Sequence, residues 1–291
     1  MDYTIKNEFL TVVVRDDGAE LQSIKTADGT EYLWQADKTF WDDKAPNIFP
    51  YVARMTEGKY TADGEGFEMK IHGFLKYMKA SMETQSENSI TFRLDSCEET
   101  KKQYPYDFTY RITYTLEGNK LLTTSSVENK DSRRMYFGLG GHPGFHVPLE
   151  EGLGFEDYYL EFDRASHPYR VGFTPSCFLT GHDDLYPLQD DVRMPLHHDM
   201  FNEDAIVLKH APHKVTLASA KGTRSVTVEY PDFPYIGFWH RPNSEAPYVC
   251  IEPWSSLPSR DGIVEELSQQ SDLIGLAAGK TYETTWTIEI K

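Results

Sequence analysis

The chain has 291 residues, of which 46 are acidic and 29 are basic, so its formal net charge at pH 7 is −17. This balance argues against binding to a nucleic acid or an anionic membrane, because both need clustered lysine and arginine side chains. With 39% hydrophobic residues, the composition is that of a globular protein, and we expect its partner to be small and uncharged.

Three antiparallel hairpins are expected in the first half of the chain, each made of two apolar–polar runs joined by turn residues. The paired runs are residues 59–62 with 67–71, 80–84 with 89–94, and 106–116 with 121–127. The strongest pattern lies at residues 106–116, where apolar side chains occupy every second position. Residues 98–103 predict one helical turn that ends before Pro105.

The C-terminal part of the chain predicts one more short helix and a final strand. Ile263, Val264 and Leu267 have the spacing of one helical face within residues 262–270, and residues 282–290 alternate as a strand. Nothing in the composition suggests a linker, a repeat or a low-complexity segment. The sequence therefore predicts one continuous all-β domain over residues 1–291.

The first candidate for chemistry is His72, which follows a predicted strand and precedes Gly73. Because Phe67, Met69 and Ile71 share one face of that strand, the pleat turns His72 toward the other face. Gly73 would let a ligand or another backbone segment approach closely. A functional histidine and a histidine that is only hydrogen-bonded at a strand end both fit this pattern.

The second candidate is a segment at residues 137–146 that holds four glycines and a proline around two histidines. Such a segment indicates an unusual backbone path, either for function or simply to turn a strand. His142 and His146 would have to lie on a helix to bind one zinc ion, and Pro143 and Gly144 prevent that helix. In an extended chain they would be roughly 13 Å apart.

The third candidate is Glu252, at the end of the apolar run 248–251 and two residues before Trp254. A carboxyl group at the end of a buried strand loses solvation, which raises its pKa toward the range of a general base. Pairing with an arginine at the strand end is the alternative role. No Ser or Cys lies in a G-x-S-x-G elbow, so these residues indicate acid–base chemistry and not a nucleophile.

No metal or cofactor is predicted. The pairs His197/His198 and His210/His213 have no neighbouring carboxylate or thiol and are expected at the surface. Three cysteines far apart in the sequence, Cys97, Cys177 and Cys250, suggest neither a disulfide framework nor a redox motif. The N-terminus lacks the pattern of a signal peptide, and no apolar run is long enough to span a bilayer. A cytoplasmic location is the expectation.

Four motifs in a fixed order then resemble one known family. They are residues 47–54 ending in Arg54, His72-Gly73-Phe74, Gly141-His142-Pro143-Gly144-Phe145, and Cys250-Ile251-Glu252-Pro253-Trp254. Together they look like the aldose 1-epimerase (galactose mutarotase) family, and most like its LacX-type branch. The segment 18–24 also fits, so the resemblance covers essentially the whole chain. It implies a β-supersandwich, two large antiparallel sheets packed face to face with an open sugar cleft.

The resemblance also implies roles for individual residues. Glu252 would be the general base for the anomeric hydroxyl, and His142 the general acid for the ring oxygen. Arg54 and His72 would hold the sugar, and Asp204 would bind its hydroxyls, with Glu203 as the neighbouring alternative. Trp34, Phe74 and Trp254 are aromatic candidates to face the C–H groups of the sugar, and packing in the core is the alternative for each.

The motifs depart from those of well-characterised galactose mutarotases at two places. Those enzymes commonly have His-Gly-Gly where this chain has His72-Gly73-Phe74, and Asn-His-Thr around the acid histidine where this chain has Gly141-His142-Pro143. The sugar therefore stays open. Two other functions remain possible: a non-catalytic sugar-binding or sugar-sensing protein, and a glycoside hydrolase that pairs Asp204 with Glu252.

Overall fold

The computed structural model describes residues 1–291, and nearly all of its regular structure is β-strand. The strands are β1 (Asp2–Lys6), β2 (Leu10–Arg15), β3 (Leu21–Thr26), β4 (Asn47–Ile48), β5 (Lys59–Ala62), β6 (Glu65–Glu68), β7 (Ser81–Gln85), β8 (Ser89–Asp95), β9 (Phe108–Glu117), β10 (Lys120–Asn129), β11 (Met135–Phe137), β12 (Gly140–Gly141), β13 (Gly144–His146), β14 (Tyr158–Phe162), β15 (Tyr169–Arg170), β16 (Asp184–Leu185), β17 (Arg193–Pro195), β18 (Ile206–Lys209), β19 (Lys214–Ser219), β20 (Val226–Glu229), β21 (Tyr235–Trp239), β22 (Tyr248–Trp254), β23 (Glu265–Glu266), β24 (Ile274–Leu276) and β25 (Thr281–Ile290).

Helical structure is limited to one α-helical turn, α1 (Glu98–Lys101), and five short 3₁₀ turns. The 3₁₀ turns are Thr56–Gly58, Leu75–Tyr77, Phe155–Asp157, His198–Phe201 and Leu267–Gln269. None of these helices has the length and apolar character needed to cross a membrane.

Two large antiparallel sheets dominate the architecture. One has nine strands in the order β17-β14-β19-β20-β25-β10-β9-β8-β7. The other has eight, in the order β16-β15-β18-β21-β22-β12-β4, with β13 paired to β22 beside this path. Smaller sheets are formed by β1-β2-β3, β11-β24 and β23-β5-β6. The all-β fold of large antiparallel sheets predicted from the sequence is confirmed.

The two large sheets face each other across an aromatic core. Phe162 of β14 meets Phe238 of β21 with ring centroids 6.3 Å apart. Phe49, next to β4, lies 4.8 Å from Tyr110 of β9. This packing follows from strand alternation, since every second side chain of β9 and β10 is buried and the intervening threonines pair across strands on the outer face.

The predicted elements agree with the structure except at two places. The hairpins, the turn at α1 and the terminal strand β25 are present. The helix predicted at residues 262–270 is wrong: the segment is extended at β23 and only Leu267–Gln269 turns. Ile263 and Val264 are 41% exposed, whereas Glu265 is buried and bonded to Arg260, so no apolar helical face is covered there.

The second exception is the strand predicted to carry His72. β6 ends at Glu68, and the chain turns sharply at His72 and Gly73, whose φ angles are 61° and 76°. The pleat argument for the direction of His72 was therefore wrong. A backbone turn in the left-handed region, which favours glycine, sets the position of its imidazole instead.

Candidate active site

A cleft of about 380 Å³ opens on the eight-stranded sheet, a volume typical of small-molecule sites. All five site residues predicted from the sequence line it: Arg54, His72, His142, Asp204 and Glu252. They come from positions up to about two hundred residues apart in the chain. The fold thus gathers the predicted residues around one cavity.

Glu252 lies in the middle of the cleft on β22, a strand in which every residue is buried. Its side chain is 1% exposed, and its Oε2 accepts a hydrogen bond from Trp254 Nε1 at 3.1 Å. Burial raises the pKa of this carboxyl well above its usual value, as predicted, although β22 continues past Glu252 to Trp254 and does not end there. The alternative role, pairing with an arginine, does not occur, because the only ion-pair partner of Glu252 is His142.

His142 is placed by the glycines around it. Gly140 and Gly141 form β12, which is inserted between β22 and β4. A Cβ at Gly140 would lie 2.5 Å from the Pro253 oxygen, and one at Gly141 would lie 2.6 Å from the Trp286 ring. Side chains are therefore excluded at both positions. The glycine-rich segment is a close-packed strand that brings His142 to Glu252.

The His142 and Glu252 side chains form a buried pair, with His142 Nε2 3.3 Å from Glu252 Oε2. Burial lowers the pKa of His142 to about 3, while it raises that of Glu252. Both shifts disfavour the charged forms, which favours a net-neutral pair that shares one proton. His142 Nδ1 and Glu252 Oε1 are buried and have no hydrogen-bond partner in the protein.

His72 stands beside this pair, with its ring centroid 5.3 Å from that of His142. Its Nδ1 accepts a hydrogen bond from the Ala53 N–H at 3.2 Å. The neutral ring therefore carries its proton on Nε2. Burial and the positive charges nearby lower its pKa well below the usual value, so His72 is an uncharged hydrogen-bond donor at neutral pH.

Arg54 and Asp204 lie toward the exposed side of the cleft. Arg54 is exposed and has no carboxylate within ion-pair distance. Asp204 has a positive φ of 78°, and its two carboxylate oxygens accept bonds from the Ala205 N–H and the Cys177 thiol. Glu203 instead points away, with a side chain that is 85% exposed and paired to Arg170. Of the two neighbouring carboxylates, Asp204 is the one that lines this cleft.

Several residues that line the cleft were not predicted from the sequence. Trp41 lies 5.0 Å from the His142 ring, and Trp239 lies 5.6 Å from it. Lys76 lines the cleft and donates to Asp43. Of the three aromatic candidates, only Trp254 contacts the cavity, whereas Trp34 and Phe74 belong to the core. The missed residues come mainly from loops, where no periodic pattern marks them.

One group of side chains could hold a metal ion. The ligand atoms of His142, Cys250 and Glu252 lie within 4.8 Å of one another. Spacing along the sequence could not reveal this group, because Cys250 and His142 meet only through the β13–β22 and β12–β22 pairing. Burial raises the pKa of the Cys250 thiol well above its usual value, so binding would require displacing a proton.

The histidine pairs expected at the surface differ from each other. His197 and His210 are exposed. His198 is partly buried, stacked on Phe155 at 4.0 Å, and bonded through Nδ1 to Nε2 of the fully buried His240 at 3.1 Å. His213 is also partly buried, with its Nδ1 bonded to the Tyr230 oxygen at 3.0 Å. The surface prediction was therefore wrong for His198 and His213.

Comparison with known proteins identifies the family. A family model described as aldose 1-epimerase matches residues 1–287. The chain belongs to the aldose 1-epimerase family. The chromosomal protein LacX of Lactococcus lactis subsp. lactis is 33% identical over 297 residues, covering 98% of this chain and 99% of that protein. The resemblance to the LacX-type branch of the family is thereby confirmed.

Two solved structures are also similar to this chain over nearly their whole length. A galactose mutarotase related enzyme from Lactobacillus acidophilus has a TM-score of 0.96 and 34% identity, covering 100% of this chain and 97% of the other. A galactose mutarotase-like protein from Lactobacillus casei ATCC 334 has a TM-score of 0.95 and 32% identity, covering 100% of both chains. The large antiparallel sheets described above are thus the fold of this family.

Proposed function

We propose that this protein is an aldose 1-epimerase that interconverts the α and β anomers of an aldose. The observation that carries this proposal is the buried pair of Glu252 and His142, a carboxyl and an imidazole 3.3 Å apart in a cleft of sugar size. Each side chain also keeps one buried polar atom without a partner in the protein. Membership of the family supports the same activity.

In the proposed reaction, Glu252 removes the proton of the anomeric hydroxyl while His142 donates a proton to the ring oxygen. The C1–O5 bond breaks, C1 becomes an aldehyde, and rotation about the C1–C2 bond presents its other face. Reversal of both proton transfers closes the ring as the other anomer. Because one proton is taken as one is given, the reaction avoids a free alkoxide.

The net-neutral pair of Glu252 and His142 sets a requirement on substrate binding. In the neutral pair the proton lies toward Glu252, whereas the proposed base is a carboxylate. Hydrogen bonds from a sugar hydroxyl and from Trp254 Nε1 would favour the ionised carboxyl and move the proton to His142. The reactive form would then arise only with sugar in the cleft.

The remaining cleft residues are proposed to bind and orient the sugar. His72 would donate through Nε2, and Arg54 would donate through its unpaired guanidinium. Asp204 would accept from sugar hydroxyls. The indole faces of Trp41, Trp239 and Trp254 would contact the C–H groups of the ring. We also propose a cytoplasmic location, which the three free cysteines support.

The test is a measurement of anomer exchange. Freshly dissolved α-anomers of D-galactose, D-glucose and other aldoses, free and phosphorylated, would be followed by polarimetry with and without the protein. The proposal expects catalysed relaxation to equilibrium for at least one aldose. Sugar binding without catalysed relaxation would favour the sugar-binding protein, and release of sugar from aryl glycosides would favour the hydrolase.

A further inference from the structure

The Asp204 carboxylate depends on a single side chain for its orientation. The Cys177 Sγ–H donates to Asp204 Oδ2 with a separation of 2.9 Å. The other oxygen, Oδ1, accepts from the N–H of the next residue, Ala205, at 3.0 Å. No lysine or arginine lies within ion-pair distance of Asp204. Among side chains, Cys177 is therefore the one that fixes the carboxylate.

Cys177 is held by a tight turn of its own. Its N–H donates to the Thr174 oxygen at 2.8 Å, and the Thr174 N–H donates to the Phe178 oxygen at 2.8 Å. Its φ angle of 64° is unfavourable for a residue with a side chain, and the turn must maintain it. This conformation brings the thiol into the cleft, where it lies with Asp204 along the same wall.

The turn is also connected to the segment that carries Arg54. The Leu179 N–H donates to the Ser259 oxygen at 3.0 Å, and the Ser259 N–H donates to the Arg54 oxygen at 3.0 Å. The thiol is thus fixed relative to a second residue of the proposed sugar site. Burial, the hydrogen bond to Asp204 and the charge of Asp204 raise the pKa of the thiol to about 12. At neutral pH the sulfur keeps its proton and donates.

We propose that Cys177 is a positioning residue, whose S–H holds the Asp204 carboxylate in the orientation that receives sugar hydroxyls. This inference rests on the proposed function for the role of Asp204. The bond occupies one lone pair of Oδ2 and leaves the others for the substrate. Without it, a partly exposed aspartate is free to change rotamer, and part of the binding free energy goes into ordering it again.

The test compares Cys177→Ala, which removes the donor, with Cys177→Ser, which keeps a donor in nearly the same place. With D-galactose and D-glucose as probes, we expect Cys177→Ala to raise KM about threefold to tenfold, as for loss of one hydrogen bond to a charged acceptor. The kcat should stay within about twofold of wild type. Cys177→Ser should restore KM. Cys97→Ser, at an exposed cysteine that does not line the cleft, is the matched control and should leave both constants unchanged.

A double variant separates positioning from general damage. If Cys177 acts through Asp204, Cys177→Ala should add no further loss of affinity in an Asp204→Ala background. Equal KM values for wild type and Cys177→Ala, failure of serine to restore KM, or additive losses in the double variant would each overturn the inference. If the wild type anomerises no aldose of the panel, the proposed function fails, and a comparison of the dissociation constants of the same variants for D-galactose decides the role of Cys177.

Discussion

The contribution of the buried Glu252 carboxyl to stability should fall as the pH rises, and Glu252→Gln should remove this contribution. The folded-state pKa of Glu252 is raised by burial, so its contribution to stability is greatest below its unfolded pKa, near 4.5, and is lost as the pH rises toward the folded pKa. Between these two values the folded state holds one more proton than the unfolded state. Stability then falls by about 1.4 kcal/mol per pH unit.

His142 contributes the opposite dependence, because its pKa is lowered to about 3 in the folded protein. Its contribution is present above the unfolded pKa near 6.5 and is lost as the pH falls. Between pH 5.0 and 6.5 the two dependences oppose each other in the wild type, and the histidine dependence weakens toward pH 6.5. In Glu252→Gln only the His142 dependence remains. The unfolding free energy of the variant, relative to that of the wild type, should therefore rise by about 2 kcal/mol from pH 5.0 to pH 6.5.

Urea unfolding of both proteins at pH 5.0 and 6.5 measures this shift. Glu265→Gln is the matched control, since Glu265 is ion-paired with Arg260 and its pKa is lowered. Glu265 stays ionised in both states across the interval, and its difference from wild type should not change with pH. If the Glu252→Gln difference is also constant, or shifts in favour of the wild type as pH rises, the folded protein holds an ionised Glu252 and the account of the shared proton is wrong.

Three further predictions concern the cleft and its frame. Arg54→Ala should raise KM several-fold with little change in kcat, because a guanidinium that orients the sugar contacts substrate and transition state alike; an unchanged KM with a collapsed kcat in steady-state polarimetry would contradict this role. Gly73→Ala should destabilise the fold by at least about 2 kcal/mol, since the new Cβ would lie 2.2 Å from the Phe49 oxygen; thermal unfolding near the wild-type temperature would contradict it. EDTA should leave the rate of anomerisation unchanged. Stoichiometric zinc in elemental analysis would contradict this prediction and would point to His142, Cys250 and Glu252 as ligands.

The parts of the fold that could be predicted are those where one local pattern decides the structure. The hairpin of β9 and β10 is an example, since ten-residue strands with one buried face leave few alternatives. The segment 262–270 shows the limit of this reasoning. Its apolar spacing suits a helix, but the buried bond between Glu265 and Arg260 is a tertiary contact that overrides the local preference.

The residues of the candidate site also fall into those that could be predicted from the sequence and those that could not. The motifs around His72, His142 and Glu252 could be found because glycines and buried runs mark them, and the family resemblance added Arg54 and Asp204. Trp41, Lys76 and Cys177 lie in loops or turns whose position depends on contacts with distant segments. The direction of His72 was also beyond local reasoning, because a left-handed turn packed on Phe49 sets it.

The most direct test of the proposed chemistry measures anomer exchange rates in Glu252→Gln, His142→Asn and the double variant, with unfolding recorded on the same samples. Each single variant should fold and lose about 10²-fold to 10⁴-fold in rate. Because both groups act in one step, the double variant should lose much less than the product of the two single losses. A folded Glu252→Gln protein that exchanges anomers at nearly the wild-type rate would contradict the proposed mechanism.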